Sequence, residues 1–193
     1  MKPLKIEKMM NIIEYEKVRN EYRKDIITYK KNRRIALGPY VSMTFENEKT
    51  LIFQIQEIMR AERLVHDSQI KEEIDVYNSI MPPENSLSAT LFIEVTDEAK
   101  IRPVLNKFIG LTGGESLYFV VDGEKVYGLF EEGREEEDKI SSVHYVRFIF
   151  SENQISKFSK SDIQIQLVID YNDYNFSEDL SKDAKSSFSS DFT

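Results

Sequence analysis

In the stretch Leu87-Ser88-Ala89-Thr90-Leu91-Phe92-Ile93-Glu94-Val95, Leu87, Ala89, Leu91, Ile93 and Val95 fall at every second position. A period of two is that of a β-strand, whose successive side chains point to opposite faces. Upstream, Val41, Met43 and Phe45 alternate with Ser42, Thr44 and Glu46, which predicts a second, half-buried strand. Downstream, Leu117–Val121 and Val126–Phe130 flank Asp122-Gly123. That pair suits a tight hairpin, because both central positions tolerate positive φ. Val143–Phe150 and Ile163–Ile169 supply two further strands.

Helical spacing occupies the rest. Over residues 11–35, Ile12, Tyr15, Val18, Tyr22, Ile26 and Tyr29 step by threes and fours, and Gly38-Pro39 closes the segment. A second helix is predicted over 50–66. A third runs from Ser68 to Met81, with Ile70, Ile74 and Tyr77 on its apolar face, and Pro82-Pro83 stops it. Thr96-Asp97-Glu98 reads as another helix start, with a kink or later start imposed by Pro103. The acidic run Glu131 to Asp138 reads as a solvated loop. Helices and strands come in groups rather than strict alternation, so the fold class is α+β, with a mixed or largely antiparallel sheet and packed helices. A single domain is expected over residues 1–175. Residues 176–193 form a Ser/Asp-rich tail in which Leu180, Ala184 and Phe188 permit one short helix.

The 193 residues are 40% apolar and 31% charged, with twelve Phe and ten Tyr to fill a core. Cysteine is absent, which removes disulfides, thiolate metal sites and cysteine nucleophiles and suits a reducing compartment. The N-terminus has no apolar run of the secretory kind, and no stretch is long and apolar enough to span a membrane. Cytoplasm is the expected location. The net charge of −8 is uneven, since residues 1–34 hold eleven Lys/Arg against five Asp/Glu. A basic first helix on an acidic body is either a solvated face or a nucleic-acid arm built on Arg23, Lys24, Lys30, Lys31, Arg33 and Arg34. The acidic body would repel phosphate and counts against the arm.

No phosphate-binding glycine loop, Gly-x-Ser-x-Gly elbow or His-Glu-x-x-His pattern occurs. On a helix over 50–66, Glu62 falls near the centre of the apolar face of Leu51, Ile55, Ile58 and Met59, with His66 one turn on. Phe53 and Leu64 occupy the other side of this helix, with Glu57 and Arg60 between the two apolar sides. A carboxylate within an apolar stripe needs a partner, so Glu62 is either a structural ion pair or a metal or acid–base group. His144 shares its strand face with Val146, Phe148 and Phe150, while Arg147 points the other way with Tyr145. Asp170, at the end of the last predicted strand, is the natural third member of a polar site. It is equally the first residue of a turn.

Several blocks together resemble a bacterial and archaeal family known as domain of unknown function 3501. They are Arg33-Arg34-Ile35-Ala36-Leu37-Gly38-Pro39, the Phe53–Leu64 helix, Tyr77-Asn78 with Pro82, Ala89-Thr90-Leu91-Phe92-Ile93-Glu94, and Ser142-Val143-His144-Tyr145-Val146-Arg147-Phe148. The resemblance implies a redox or oxidative-stress setting, with rubrerythrin-like or iron–sulfur redox proteins as partners. The family's usual Asp-His-Pro-x-Tyr ending is here Asp170-Tyr171-Asn172-Asp173-Tyr174, without its His and Pro.

Three functions follow. The first is a non-enzymatic accessory or partner protein in that redox setting. The second is a metal-binding protein or metal-dependent enzyme in which Glu62, His144, Asp170 and His66 hold Fe, Mn or Zn. The third is nucleic-acid binding through the basic helix. Whether the chain is an enzyme stays open at this point.

Overall fold

In the computed structural model, which describes residues 3–133, 135–136, 138–160 and 162–192, every ladder among the described residues is antiparallel. The chain runs α1 (Ile12–Lys31), β1 (Arg34–Leu37), β2 (Val41–Glu46), α2 (Glu48–Glu62), α3 (Asp67–Ile80) and β3 (Ser86–Ile93). It continues through α4 (Ile101–Asn106), β4 (Leu117–Val121), β5 (Glu124–Phe130), β6 (Glu135–Glu136), β7 (Lys139–Ile140) and β8 (Val143–Ile149). Then come α5 (Glu152–Phe158), β9 (Ile165–Tyr171), β10 (Tyr174–Asp179) and α6 (Lys182–Ser189). Eight strands make one sheet in the order β1-β2-β3-β8-β5-β4-β9-β10, and β6 and β7 pair separately. No helix is long and apolar enough to cross a membrane, among the described residues.

The two ends of the sheet curl toward each other. The Tyr174 hydroxyl on β10 donates to the Leu37 carbonyl on β1 at 2.5 Å. The Phe176 ring lies against Gly38, where an added Cβ would stand 2.6 Å from it. Gly38 also has φ +75, so it supplies both the turn and the close approach. The sheet thus wraps its inner face around one large core. Phe119 meets Phe148 at 4.8 Å between ring centroids, and Phe188 of α6 seats on Phe45 at 4.5 Å. Burying each such ring contributes about 1.5–3 kcal/mol.

The alternating segments fold as read. Asp122 (φ 53) and Gly123 (φ 81) both take positive φ and close the β4–β5 hairpin. Pro103 stands in the first turn of α4, which starts at Ile101 after a 3₁₀ turn, so the later start is the one realised.

Five expectations need correction. The first helix ends at Lys31, and Arg34–Leu37 is strand. The Phe45 N–H donates to the Arg33 carbonyl and the Arg33 Nε to the Phe45 carbonyl, both at 2.8 Å, which ties this stretch to β2. The second helix ends at Glu62 because Arg63 turns left-handed (φ 56) and the Leu64 N–H reaches back to the Met59 carbonyl. In the acidic run, Glu135–Glu136 pairs with Lys139–Ile140 rather than staying loop, while Arg134 and Glu137 lie outside the described residues. The boundary drawn at residue 175 falls inside β10, and the supposed tail continues in register with β9 before α6 places Phe188 in the core. Finally, β2 is buried on both faces, not one.

That last correction positions the site. Ser42, Thr44 and Glu46 of β2 and Ser86, Ser88 and Thr90 of β3 occupy the sheet face opposite the aromatic core, and all are buried. The cover comes from α2 and α3, whose Leu51, Ile55, Met59, Ile70, Ile74 and Ile80 form a second cluster against Tyr145 of β8. Asn47 and Thr50 start α2 with a reciprocal capping box.

Candidate functional site

On this outer face, strand register aligns Glu46 opposite Ser88, Ser88 opposite Arg147, and Arg147 opposite Leu129. One row of side chains thus crosses four strands. Above it opens a half-enclosed cleft of about 250 Å³, bounded by Ser79 and Ile80 at the end of α3, by Tyr145, and by Leu129 and Glu131 at the rim.

The polar groups of the row are poorly provided for. Glu46 is 3% exposed; its Oε1 accepts from the Thr90 hydroxyl at a long 3.3 Å, and its Oε2 has no partner. Ser88 is 6% exposed and its hydroxyl has none either. Arg147 donates one terminal nitrogen to the Ser79 carbonyl at 3.2 Å, a cation closing the end of α3, but its Nε is buried without a partner. Buried polar atoms are normally satisfied, and each orphan costs about 1–3 kcal/mol. The three residues that carry them all line one cleft. Tyr77 of α3 stands in the same field: burial, then Tyr145, Glu73 and Glu46, push its phenol up to about 12, so it stays a neutral donor.

The residues expected to bind metal do not converge. Glu62, the last residue of α2, is exposed, because the helix ends there before its stripe reaches it. It stands near Glu73, whose carboxyl is raised by burial and then by the Glu62 charge. His66 is exposed at the N-cap of α3. His144 is fully buried on the inner face, as its alternation required; a ring nitrogen lies 2.8 Å from the Ser141 carbonyl and Phe130 meets the ring edge-on. Asp170 is exposed near the β9–β10 turn. Among the described residues, no three His, Cys, Asp or Glu side chains are placed to hold a metal ion.

Glu57 and Arg60 attach α1 to α2. Glu57 takes a two-point contact from Arg19 at 2.8 and 2.7 Å and a bond from the Tyr15 hydroxyl at 2.6 Å, and Arg60 pairs with Glu16 at 2.6 Å. The basic set is dispersed. Arg34 pairs with Glu94 at 2.6 Å, and Lys30 lies over the Phe53 ring. Arg33 is fully buried, bonded to Ser187 and to Asp191, which Asn47 also holds at 2.8 Å. Burial lifts the Asp191 carboxyl above its ordinary range, with the Arg33 charge opposing.

Of the cleft residues, sequence singled out Arg147 and its face but missed Glu46 and Ser88. Two adjacent strands carrying Ser/Thr/Glu at every second position, in a chain with helices to spare, were the available clue. In the ending Asp170–Tyr174, Asn172 (φ 53) makes the β9–β10 turn, and the Tyr171 hydroxyl donates to the Ile109 carbonyl.

A family model described as "Protein of unknown function (DUF3501)" matches residues 3–192. A crystal structure of a protein of unknown function from Burkholderia pseudomallei K96243 is similar at 27% identity and a TM-score of 0.91, with 100% of each chain covered. No curated protein matches at a significant level.

Proposed function

The chain belongs to the DUF3501 family, and from that premise we propose that it is a non-enzymatic accessory protein holding a small polar molecule over Glu46, Ser88 and Arg147. The observation that carries this reading is that three residues lining one cleft each hold an orphaned buried polar atom. A stable fold gains nothing from them, whereas a ligand that satisfied them would recover their desolvation cost. The Ser88 hydroxyl bonds to no base, so nothing prepares it as a nucleophile, which favours binding over catalysis. The composition, free of cysteine, suits the cytoplasm. The partners we propose are the rubrerythrin-like or iron–sulfur redox proteins that the family resemblance implies.

Thermal unfolding with the small-molecule fraction of a bacterial cell extract tests the reading. Leu129 is exposed at the rim, so Leu129→Trp narrows the cleft without touching the core. Expected is a rise in melting temperature for wild type that Leu129→Trp loses. An equal rise in both proteins, or none in either, would contradict a binding cleft.

A further inference from the structure

We infer that the cleft takes a small zwitterion of the amino-acid class, its ammonium on Glu46 and its carboxylate on Arg147; this rests on the binding reading above. The two charged residues stand on β2 and β8 with β3 between them. At the usual spacing of neighbouring strands, their Cα atoms are roughly 10 Å apart. They form no ion pair with each other, and each keeps an unsatisfied buried atom: an acceptor on Glu46, a donor on Arg147. Ser88 lies between them in the row and can accept from one ligand group or donate to the other.

The charges discriminate among ligand classes. An inorganic or simple organic anion would satisfy Arg147 but meet Glu46 in the floor and Glu131 at the rim. A simple cation would satisfy Glu46 and be repelled by Arg147. A neutral polyol would leave the buried Glu46 and the half-buried Arg147 without a counter-charge, which low-dielectric surroundings penalise. A molecule with both charges a few ångströms apart answers both ends. At about 250 Å³ the cleft is smaller than pockets for drug-sized ligands. Its remaining wall, from Ile80, Leu129 and Tyr145, is apolar and suits an aliphatic side chain.

Calorimetric titration with three probes separates the alternatives: L-valine, 2-hydroxy-3-methylbutanoate, which lacks the ammonium, and isobutylamine, which lacks the carboxylate. A charge-assisted hydrogen bond in a buried site is worth about tenfold or more in affinity. Expected is binding of valine at least about tenfold tighter than either analogue. Glu46→Gln should erase the preference over the hydroxy acid and Arg147→Met the preference over the amine. If the hydroxy acid or the amine binds wild type as tightly as valine, the zwitterion is wrong and the binding cleft stands. If none of the three binds while extract still stabilises wild type and not Leu129→Trp, the same holds. If extract also fails, both inferences fall together.

Discussion

The two faces of the sheet are built from the same strands and oppose each other in character. The inner face carries Phe45, Phe119 and Phe148, closed by Phe188 of α6. The outer face carries Ser42, Thr44, Glu46, Ser86, Ser88 and Thr90, equally buried but polar. Apolar burial stabilises in proportion to area, whereas polar burial breaks even only when every group is bonded. The aromatic part of the inner face meets its requirement and the outer face, at Glu46, Ser88 and Arg147, does not. The aromatic core thus stabilises one side of the sheet, and the cleft that we propose to bind a ligand lies on the other.

Substitutions can sharpen or break that division. The largest loss is expected at the inner face: Phe119→Ala should cost about 3–5 kcal/mol in a denaturant titration. Phe119 is fully buried among Phe45, Phe148, Phe150 and Phe158. A cost near 1 kcal/mol would mean that the aromatic core repacks freely. Asp191→Ala should cost about 3 kcal/mol, since it strands the buried Arg33 guanidinium and loosens the segment that carries Phe188. An effect within about 0.5 kcal/mol, the range of surface changes, would show that this ion pair is not what holds α6 in place.

A smaller effect depends on pH. The two-point contact from Arg19, then the Tyr15 hydroxyl, hold the Glu57 carboxyl below its ordinary value of 4.5. A carboxyl lowered in the folded state contributes stability above its unfolded value and loses it as pH falls through the folded one. The melting temperature should therefore drop more steeply below pH 4.5 in wild type than in Glu57→Gln. Identical acid slopes would remove Glu57 from the α1–α2 attachment. Smallest of all, Lys31→Ala at the exposed end of α1 should change stability by no more than about 0.5 kcal/mol.

How legible these faces were in the sequence follows from the same physics. The inner face announces itself, because Leu87, Ala89, Leu91 and Val41, Met43, Phe45 keep period two without interruption. The short β1 was absorbed into the preceding helix, since what makes it strand is the exchange between Arg33 and Phe45, a contact between distant residues. In β10, Tyr174 and Phe176 alone carry the apolar alternation, too little to separate it from a polar tail. The outer face hid for a different reason. Ser and Thr opposite an apolar row read as solvent-facing until helices are known to cover them. Glu62 was misplaced because no residue type marks Arg63 for the left-handed turn that ends α2.

The most direct test of the division is the stability of the Glu46→Gln, Ser88→Ala double variant in a denaturant titration. Removing a buried orphan of this kind is nearly neutral or stabilising, whereas breaking a satisfied network costs several kcal/mol. Expected is an unfolding free energy equal to wild type or up to about 2 kcal/mol higher. A loss of more than about 2 kcal/mol would contradict it, and would make the polar row part of what holds the fold together.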